Sequence, residues 1–201
     1  MSTRTQTPGA IESVVLLDAD HQEVGSADKA EVHTRTTPLH LAFSCHVFDA
    51  EGRVLVTRRS LAKKAWPGVW TNSVCGHPGP GEPRQDAVHR RAEFELGMEL
   101  DVVQMVIPDF AYRAVDASGV VENEFCPVYF ARAASNPDPR PSEVSEHHWV
   151  APQDLVAAVR ATPWAFSPWL VFQMQELESR GISYQAPTRN TPDGGREADH
   201  A

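Results

Sequence analysis

The pattern of apolar and polar positions changes several times along the chain, and each change marks an element. Val14-Val15-Leu16-Leu17 is a short apolar run that predicts a strand, closed by a turn at Asp18–Asp20. Leu39–Phe48 and Arg53–Arg58 are apolar and rich in β-formers. The Asp49-Ala50-Glu51-Gly52 stretch between them reads as a hairpin turn, with Gly52 free to take a positive φ. Residues 60–81 carry Gly, Pro and Trp without a single period, which predicts a long structured loop, and such loops in compact domains are often functional. A helix follows. Glu82-Pro83 suits its first turn, because proline lacks only an N–H that would be orphaned there. Gln85–Leu96 contains no breaker, and Gly97 predicts the stop.

Val103–Ile107 and Phe110–Ala114 predict short strands before a turn at Ser118-Gly119. Glu122–Arg132 predicts one longer strand. Pro127 within it cannot donate to a ladder, so an edge position or a bulge is expected there. His148–Val150 predicts another short strand. Two helices close the pattern: Pro152–Ala161, and one running from Ser167-Pro168 to Gly181 with serine at the N-cap and proline at the first helical position. Residues 1–10 and 186–201 are polar and aperiodic, which predicts a disordered leader and a solvated tail around one domain at 11–185. The fold class expected is α+β, a mixed sheet with a central helix and C-terminal helices.

Composition narrows the function classes. The chain has 201 residues, 41% hydrophobic and 22% charged, enough for one domain that buries roughly 70% of its unfolded surface without a disulfide or structural metal. A net charge of −9 argues against nucleic acid, whose binding needs a basic face. It leaves open a small phosphorylated substrate, whose charge a metal ion neutralises locally. Cys45, Cys75 and Cys126 are odd in number and widely spaced, so they form no disulfide framework and fit a reducing compartment. No apolar run resembles a signal peptide or is long enough to span a bilayer. The expectation is a cytoplasmic protein without membrane association, and nothing in the sequence demands more than a monomer.

Candidate chemistry begins at Gly76-x5-Glu82-x7-Arg90-Arg91-Ala92-x-Phe94-Glu95-x-Gly97-Met98. This stretch resembles the Nudix box, a loop–helix–loop that binds a metal–diphosphate. Gly76, Glu82, Arg90, Glu95 and Gly97 fit that pattern, whereas Arg91 and Phe94 stand where the family has glutamates. Losing one of two adjacent carboxylates weakens a hydrolytic site, yet Glu95 is enough for one Mg²⁺ shared with a diphosphate.

Several further stretches carry a more specific resemblance. Thr57-Arg58-Arg59, Lys63 through Pro78, Tyr112-Arg113-Ala114, Glu122-Asn123-Glu124 and Thr162 through Trp169 are similar to type I isopentenyl-diphosphate isomerases over about residues 11–180. The resemblance implies a metal site of His33, His40, His77, Glu122 and Glu124 holding Mn²⁺, Zn²⁺ or Mg²⁺. It implies a Mg²⁺ bound with the substrate diphosphate by Glu95 and the Cys75 backbone. It also implies Cys75 and Glu124 as acid–base groups with Tyr112 beside them, Trp169 facing a carbocation, and Lys29, Arg59, Lys63 and Arg91 on the diphosphate. From below, Glu122 and Glu124 share one face of a strand, and Arg91 and Glu95 share one face of a helix. Spacing alone does not choose among the nine histidines, and His21, His46, His89, His147, His148 and His200 are expected to be ordinary surface or core residues. The implied reaction converts isopentenyl diphosphate to dimethylallyl diphosphate. A Nudix-type diphosphate hydrolase and a catalytically dead, metal-stabilised binding module are the alternatives.

Overall fold

A computed structural model describes residues 12–188. It builds two sheets. The first has the order β2-β1-β3-β10-β9, from β1 (Ser13–Leu17), β2 (Glu23–Asp28), β3 (His40–Leu41), β9 (Ala111–Val115) and β10 (Val121–Phe125). The second has the order β12-β5-β4-β11-β8, from β4 (Phe43–Phe48), β5 (Val54–Arg59), β8 (Leu100–Ile107), β11 (Val128–Ala133) and β12 (Val144–Val150). β6 (Trp70–Thr71) and β7 (Val74–Gly76) attach to β5 and β4. Helix α1 (Lys29–Val32) precedes β3, α2 (Arg84–Leu96) packs beside β7 and β8, and α3 (Pro152–Ala161) packs against α4 (Pro168–Ser179). One core cluster lies between the second sheet and α3 and α4, around Phe48, Val128, Phe130, Leu155 and Leu170. A second lies between the same sheet and α2, around Phe43, Leu55, Val88, Leu96 and Tyr129. The α+β class and the central and C-terminal helices are as the sequence predicts.

Two expected strands each prove to be two. The chain expected as one strand at Leu39–Phe48 changes sheets at Ala42, whose N–H donates to the Phe125 carbonyl at 2.8 Å. The one expected at Glu122–Arg132 changes sheets at Cys126-Pro127. Cys126 N–H donates to the Phe110 carbonyl (2.8 Å), and Ser44 N–H donates to the Pro127 carbonyl (3.1 Å). Pro127 therefore sits at the crossing between sheets, not at an edge strand, and β11 beyond it is flanked by β4 and β8. The missing proline N–H is harmless there because no ladder runs through that residue.

The 60–81 segment also has more regular structure than its aperiodic sequence predicts. β4 and β5 pair only beside their hairpin, at Phe48–Val54, and then part. β6 lies on β5 and β7 on β4 in the gap. Ser73 fastens the wedge: its Oγ accepts from Val47 N–H (2.7 Å) and donates to the Leu55 carbonyl (2.6 Å). The 23–32 region forms β2 and α1, which carry no apolar period and were not anticipated. β8 and β12 are longer than expected, because they extend through exposed positions such as Asp101, Gln104, Ser145 and Glu146 that break the apolar run. α2 ends as predicted at Gly97, whose φ is 61° and whose added Cβ would meet the Asp138 carbonyl oxygen at 2.6 Å. The leader at 1–10 and residues 189–201 of the tail lie outside the described residues. Within the tail expected from 186, Ala186 packs against the first core cluster and Pro187 is buried.

His46, in the middle of the buried β4, is a core histidine with two partners. Its Nε2–H donates to Gln173 Oε1 (3.0 Å) and its Nδ1 accepts from Tyr184 O–H (2.8 Å). Burial pushes its pKa from 6.5 down to about 4. Between those values the unfolded chain binds the proton and the folded one does not, so stability is full above pH 6.5 and falls as pH drops toward 4. Going from pH 7 to pH 5 therefore costs about 2 kcal/mol through this residue. In a His46→Gln variant, denaturant unfolding at the two pH values is expected to lose that much less stability than wild type. Identical pH dependence in both proteins would contradict the assignment.

Candidate active site

The paired crossing of the two strands brings the polar residues of the first sheet into register. Glu124 of β10 is the neighbour of His40 on β3 and of Tyr112 on β9, so the three form a row across adjacent strands. Glu122, two residues back, projects to the same side, as strand periodicity requires. α1 is capped at its start by Asp28, whose Oδ1 accepts the Ala30 N–H at 2.8 Å, and His33 follows it as the C-cap. His33, His40, His77 and Glu124 each offer a ligand atom within 4.8 Å of the other three, the one such group found among the described residues. Glu122 lies beside this group, with its Oε2 3.0 Å from His33 Nε2.

The donor set fits a divalent cation. His40 Nδ1–H donates to the Pro38 carbonyl at 2.9 Å, which turns its Nε2 lone pair into the cluster. That Nε2 faces His77 Nε2 at 3.2 Å, and Glu124 Oε1 lies 3.1 Å from His77 and 3.6 Å from His40. His77 Nδ1 and Glu122 Oε2 are buried and make no aligned hydrogen bond. Such a convergence of imidazole nitrogens and carboxylate oxygens, with a polar atom left over, matches a mixed nitrogen–oxygen metal site.

The same groups titrate far from their usual values. Burial holds the His77 imidazole neutral, with its pKa pushed down to about 3. Burial alone would raise Glu124, but hydrogen bonds from His40 and His77 outweigh it and hold the carboxyl well below the usual range. Glu122 moves the other way, raised first by burial and then by the neighbouring charge of Glu124. Two carboxyls two residues apart are thus driven to opposite sides of their ordinary value.

A pocket of about 650 Å³ joins this cluster to Cys75, Tyr112 and Trp169. Cys75 lies on β7 opposite Ser44 of β4, not in an irregular loop. Burial pushes its thiol up to about 12 and keeps it protonated. Tyr112 is held protonated by burial and by the charges of Glu124 and Glu122. Trp169 is buried and packs edge-on to Trp66 at 5.6 Å, with Tyr112 5.9 Å away. Cys45 and Cys126 are buried.

The pocket also has a cationic wall. Lys29, Arg59, Lys63 and Arg91 all line it, together with Glu95. The Arg59 guanidinium lies 5.4 Å from the Trp169 ring centroid and donates to the carbonyls of Ala65 (2.8 Å) and Trp66 (3.2 Å). Arg91 pairs with Glu95 one turn along α2. It passes over Gly76, where an added Cβ would meet Arg91 Cγ at 2.7 Å and Phe43 Cζ at 3.1 Å. Sequence reasoning missed Glu12, which lines the pocket, and Glu143, which pairs with Lys63 and Arg91; Lys64 lines the pocket as well. Glu12 Oε2 accepts from Lys29 Nζ (2.5 Å), Glu12 Oε1 accepts from Arg91 (3.2 Å), and Glu143 accepts from Lys63. These carboxylates stand outside any motif, so no signal in the sequence singles them out. Arg90, by contrast, is spent on Glu82 and on the His77 carbonyl, and holds the loop before α2.

Residues 38–170 match the NUDIX domain family. The isopentenyl-diphosphate Delta-isomerase of Clavibacter michiganensis subsp. michiganensis is 65% identical over 170 residues, covering 85% of this chain and 88% of its own length. That of Agromyces mediolanus is 61% identical over 184 residues, covering 92% and 89%. Among solved structures, DR0079 from Deinococcus radiodurans aligns with a TM-score of 0.65 at 22% identity, over 82% of this chain and 98% of its own, a likeness of fold. The chain therefore belongs to the NUDIX domain family and, within it, to the isopentenyl-diphosphate Delta-isomerases.

Proposed function

We propose that this chain interconverts isopentenyl diphosphate and dimethylallyl diphosphate, a step in making isoprenoid precursors, with Cys75 and Glu124 as its two proton-handling groups. The observation that carries this reading is the meeting of a thiol, a buried carboxylate, an indole face and a cationic wall in one pocket. The reaction shifts a double bond: the terminal alkene carbon gains one proton while the carbon on the far side of the double bond loses another. An alkene is a weak base, so the two proton-handling groups must be placed against the reacting carbons. One of Cys75 and Glu124 gives the proton and the other takes one, and the roles exchange in the reverse direction. Tyr112, in register with Glu124, keeps its phenol protonated and lies beside that path. The Trp169 ring supplies a negative π-face to the tertiary cation, worth roughly 2 kcal/mol when desolvated. Burial of the pocket walls limits capture of that cation by water.

Lys29, Arg59, Lys63 and Arg91 would bind the diphosphate, and Arg91 takes a charge-binding part where hydrolases of the family carry a glutamate. Glu95 and the Cys75 carbonyl would hold Mg²⁺ with the diphosphate. His33, His40, His77, Glu122 and Glu124 would hold Mn²⁺, Zn²⁺ or Mg²⁺. A cation there supplies positive charge against Glu124 and so governs how readily that carboxyl carries a proton. No helix among the described residues is long and apolar enough to cross a membrane. The proposed setting is the cytoplasm, with a monomer acting on a small prenyl diphosphate and not on nucleic acid or a membrane.

Three outcomes test the reading. With isopentenyl diphosphate, Mg²⁺ and Mn²⁺ in deuterated water, mass spectrometry is expected to find deuterium in the dimethylallyl product without phosphate release. Phosphate released without isomer would point to a hydrolase. Cys75→Ala and Glu124→Gln are each expected to lower kcat by about 10³-fold or more while the protein stays folded by circular dichroism. Wild-type turnover in either variant removes that residue from the mechanism. In equilibrium dialysis, His40→Ala is expected to weaken Mn²⁺ binding by at least about tenfold, and unchanged binding would disprove the histidine site.

A further inference from the structure

The Cys75 thiol is held from two sides by residues to which no role has yet been given. Its S–H donates to Asn72 Oδ1 at 3.3 Å, and its sulfur lies 3.2 Å from Ser44 Oγ. Each of these two partners is in turn fixed from α4. Trp169 Nε1–H donates to the same Asn72 Oδ1 at 3.1 Å, and Gln173 Nε2–H donates to Ser44 Oγ at 2.8 Å. Trp169 and Gln173 are one turn apart on that helix, so a single helix face sets both contacts.

The hydrogen bonds run in one consistent direction. Tyr184 and His46 fix the Gln173 amide, with its oxygen toward His46 and its nitrogen toward Ser44. Ser44 Oγ accepts from Gln173 and from Cys126 S–H (3.8 Å), which leaves its own proton aimed at Cys75 Sγ. Asn72 is held just as firmly. Its Nδ2 donates to the carbonyls of Cys45 (3.0 Å) and Val74 (3.1 Å), and its Oδ1 also accepts from Thr71 Oγ1 (2.9 Å).

Ser44, Asn72 and Gln173 are fully buried, and Ser44 interrupts the otherwise largely apolar strand Phe43–Phe48. Apolar residues of the same size would fill these places without the cost of desolvating polar groups. What the three share is the Cys75 sulfur, touched by two of them and reached by the third through Ser44. We propose that Ser44, Asn72 and Gln173 form a positioning clamp that fixes the Cys75 sulfur against the Trp169 indole. None of the three touches the pocket, so they act through Cys75 and Trp169 and are not catalytic residues. The clamp rests on the proposed role of Cys75 in proton transfer.

The test is a double-mutant cycle on the full chain with isopentenyl diphosphate. Ser44→Ala and Gln173→Leu keep the shape of the core while removing the hydrogen bonds. Each is expected to lower kcat by about tenfold to a hundredfold, the range for small misplacement of a reacting group, with KM within twofold of wild type. Because both act through one path, the double variant should lose no more than the worse single variant. Gln173→Glu, assayed where its carboxyl is protonated enough to donate, should recover part of the kcat lost in Gln173→Leu. In Asn72→Asp the indole N–H resonance of Trp169 should shift while the other tryptophan signals stay in place. Single variants with wild-type kcat, or losses that multiply in the double variant, overturn the clamp. Turnover surviving in Cys75→Ala would remove the thiol assignment, and the clamp with it.

Discussion

Two strands change sheets side by side, and the rest of the site depends on that joint crossing. β3 passes into β4 at Ala42 while β10 passes into β11 at Cys126-Pro127, in parallel register on both sides. The Ala42–Phe125 and Ser44–Pro127 hydrogen bonds keep the crossings in step. Upstream of the crossing lie His40 and Glu124, and downstream lies Ser44, the partner of Cys75. A slip of one residue in β10 would turn Glu122 and Glu124 to the other face of their sheet, and a slip in β3 would turn His40. The His40–Glu124 row and Ser44, the partner of Cys75, thus keep their distance because one pair of strands carries both.

The second constraint is electrostatic. Lys29, Lys63 and Arg91 would repel one another on one wall, and Lys29 is pushed below its usual value first by burial and then by the Arg91 charge. Glu12, Glu95 and Glu143 offset that repulsion and hold the long side chains in extended positions. Arg91 is itself buried, and an unpaired guanidinium there would be costly, which accounts for its carboxylate neighbours. A diphosphate offers the same cations more charge than any one of these carboxylates. On the proposed reading, a wall held this way would need little reordering of its side chains to bind a polyanion.

The sequence showed the parts of this arrangement that local rules govern. Gly97 stops α2, Ser167 caps α4, Gly52 turns the β4–β5 hairpin, and the Glu-x-Glu pair shares a face, each for reasons confined to a few neighbouring residues. Expectations weakened where a choice is made between distant segments. Nothing near Ala42 or Pro127 says that the chain leaves one sheet for another, because both flanks read equally as strand. The wedge at residues 70–76 exists only because β4 and β5 part, which no window of sequence contains. Cys75 had a role by resemblance, but Ser44, Asn72 and Gln173 are polar residues in apolar surroundings, and only their meeting in space separates them from ordinary core polar groups.

The substitution of Arg91 for a Nudix glutamate shows how one scaffold moves between chemistries. A second carboxylate beside Glu95 would gather metal and activate water against a phosphate. A guanidinium at that place would do the reverse, neutralising a diphosphate and supplying no base to attack it. The reactive end of the pocket is correspondingly far from hydrolytic in character. Its thiol and phenol are half-buried and held protonated, and the buried indole of Trp169 lies beside them. Proton movement at carbon needs well-placed weak acids and bases with water kept away from the cation, whereas hydrolysis needs water brought in. On the proposed reading, the buried polar network behind Cys75 would serve the first requirement, because a group that must meet a weakly basic alkene gains more from fixed position than from solvent access.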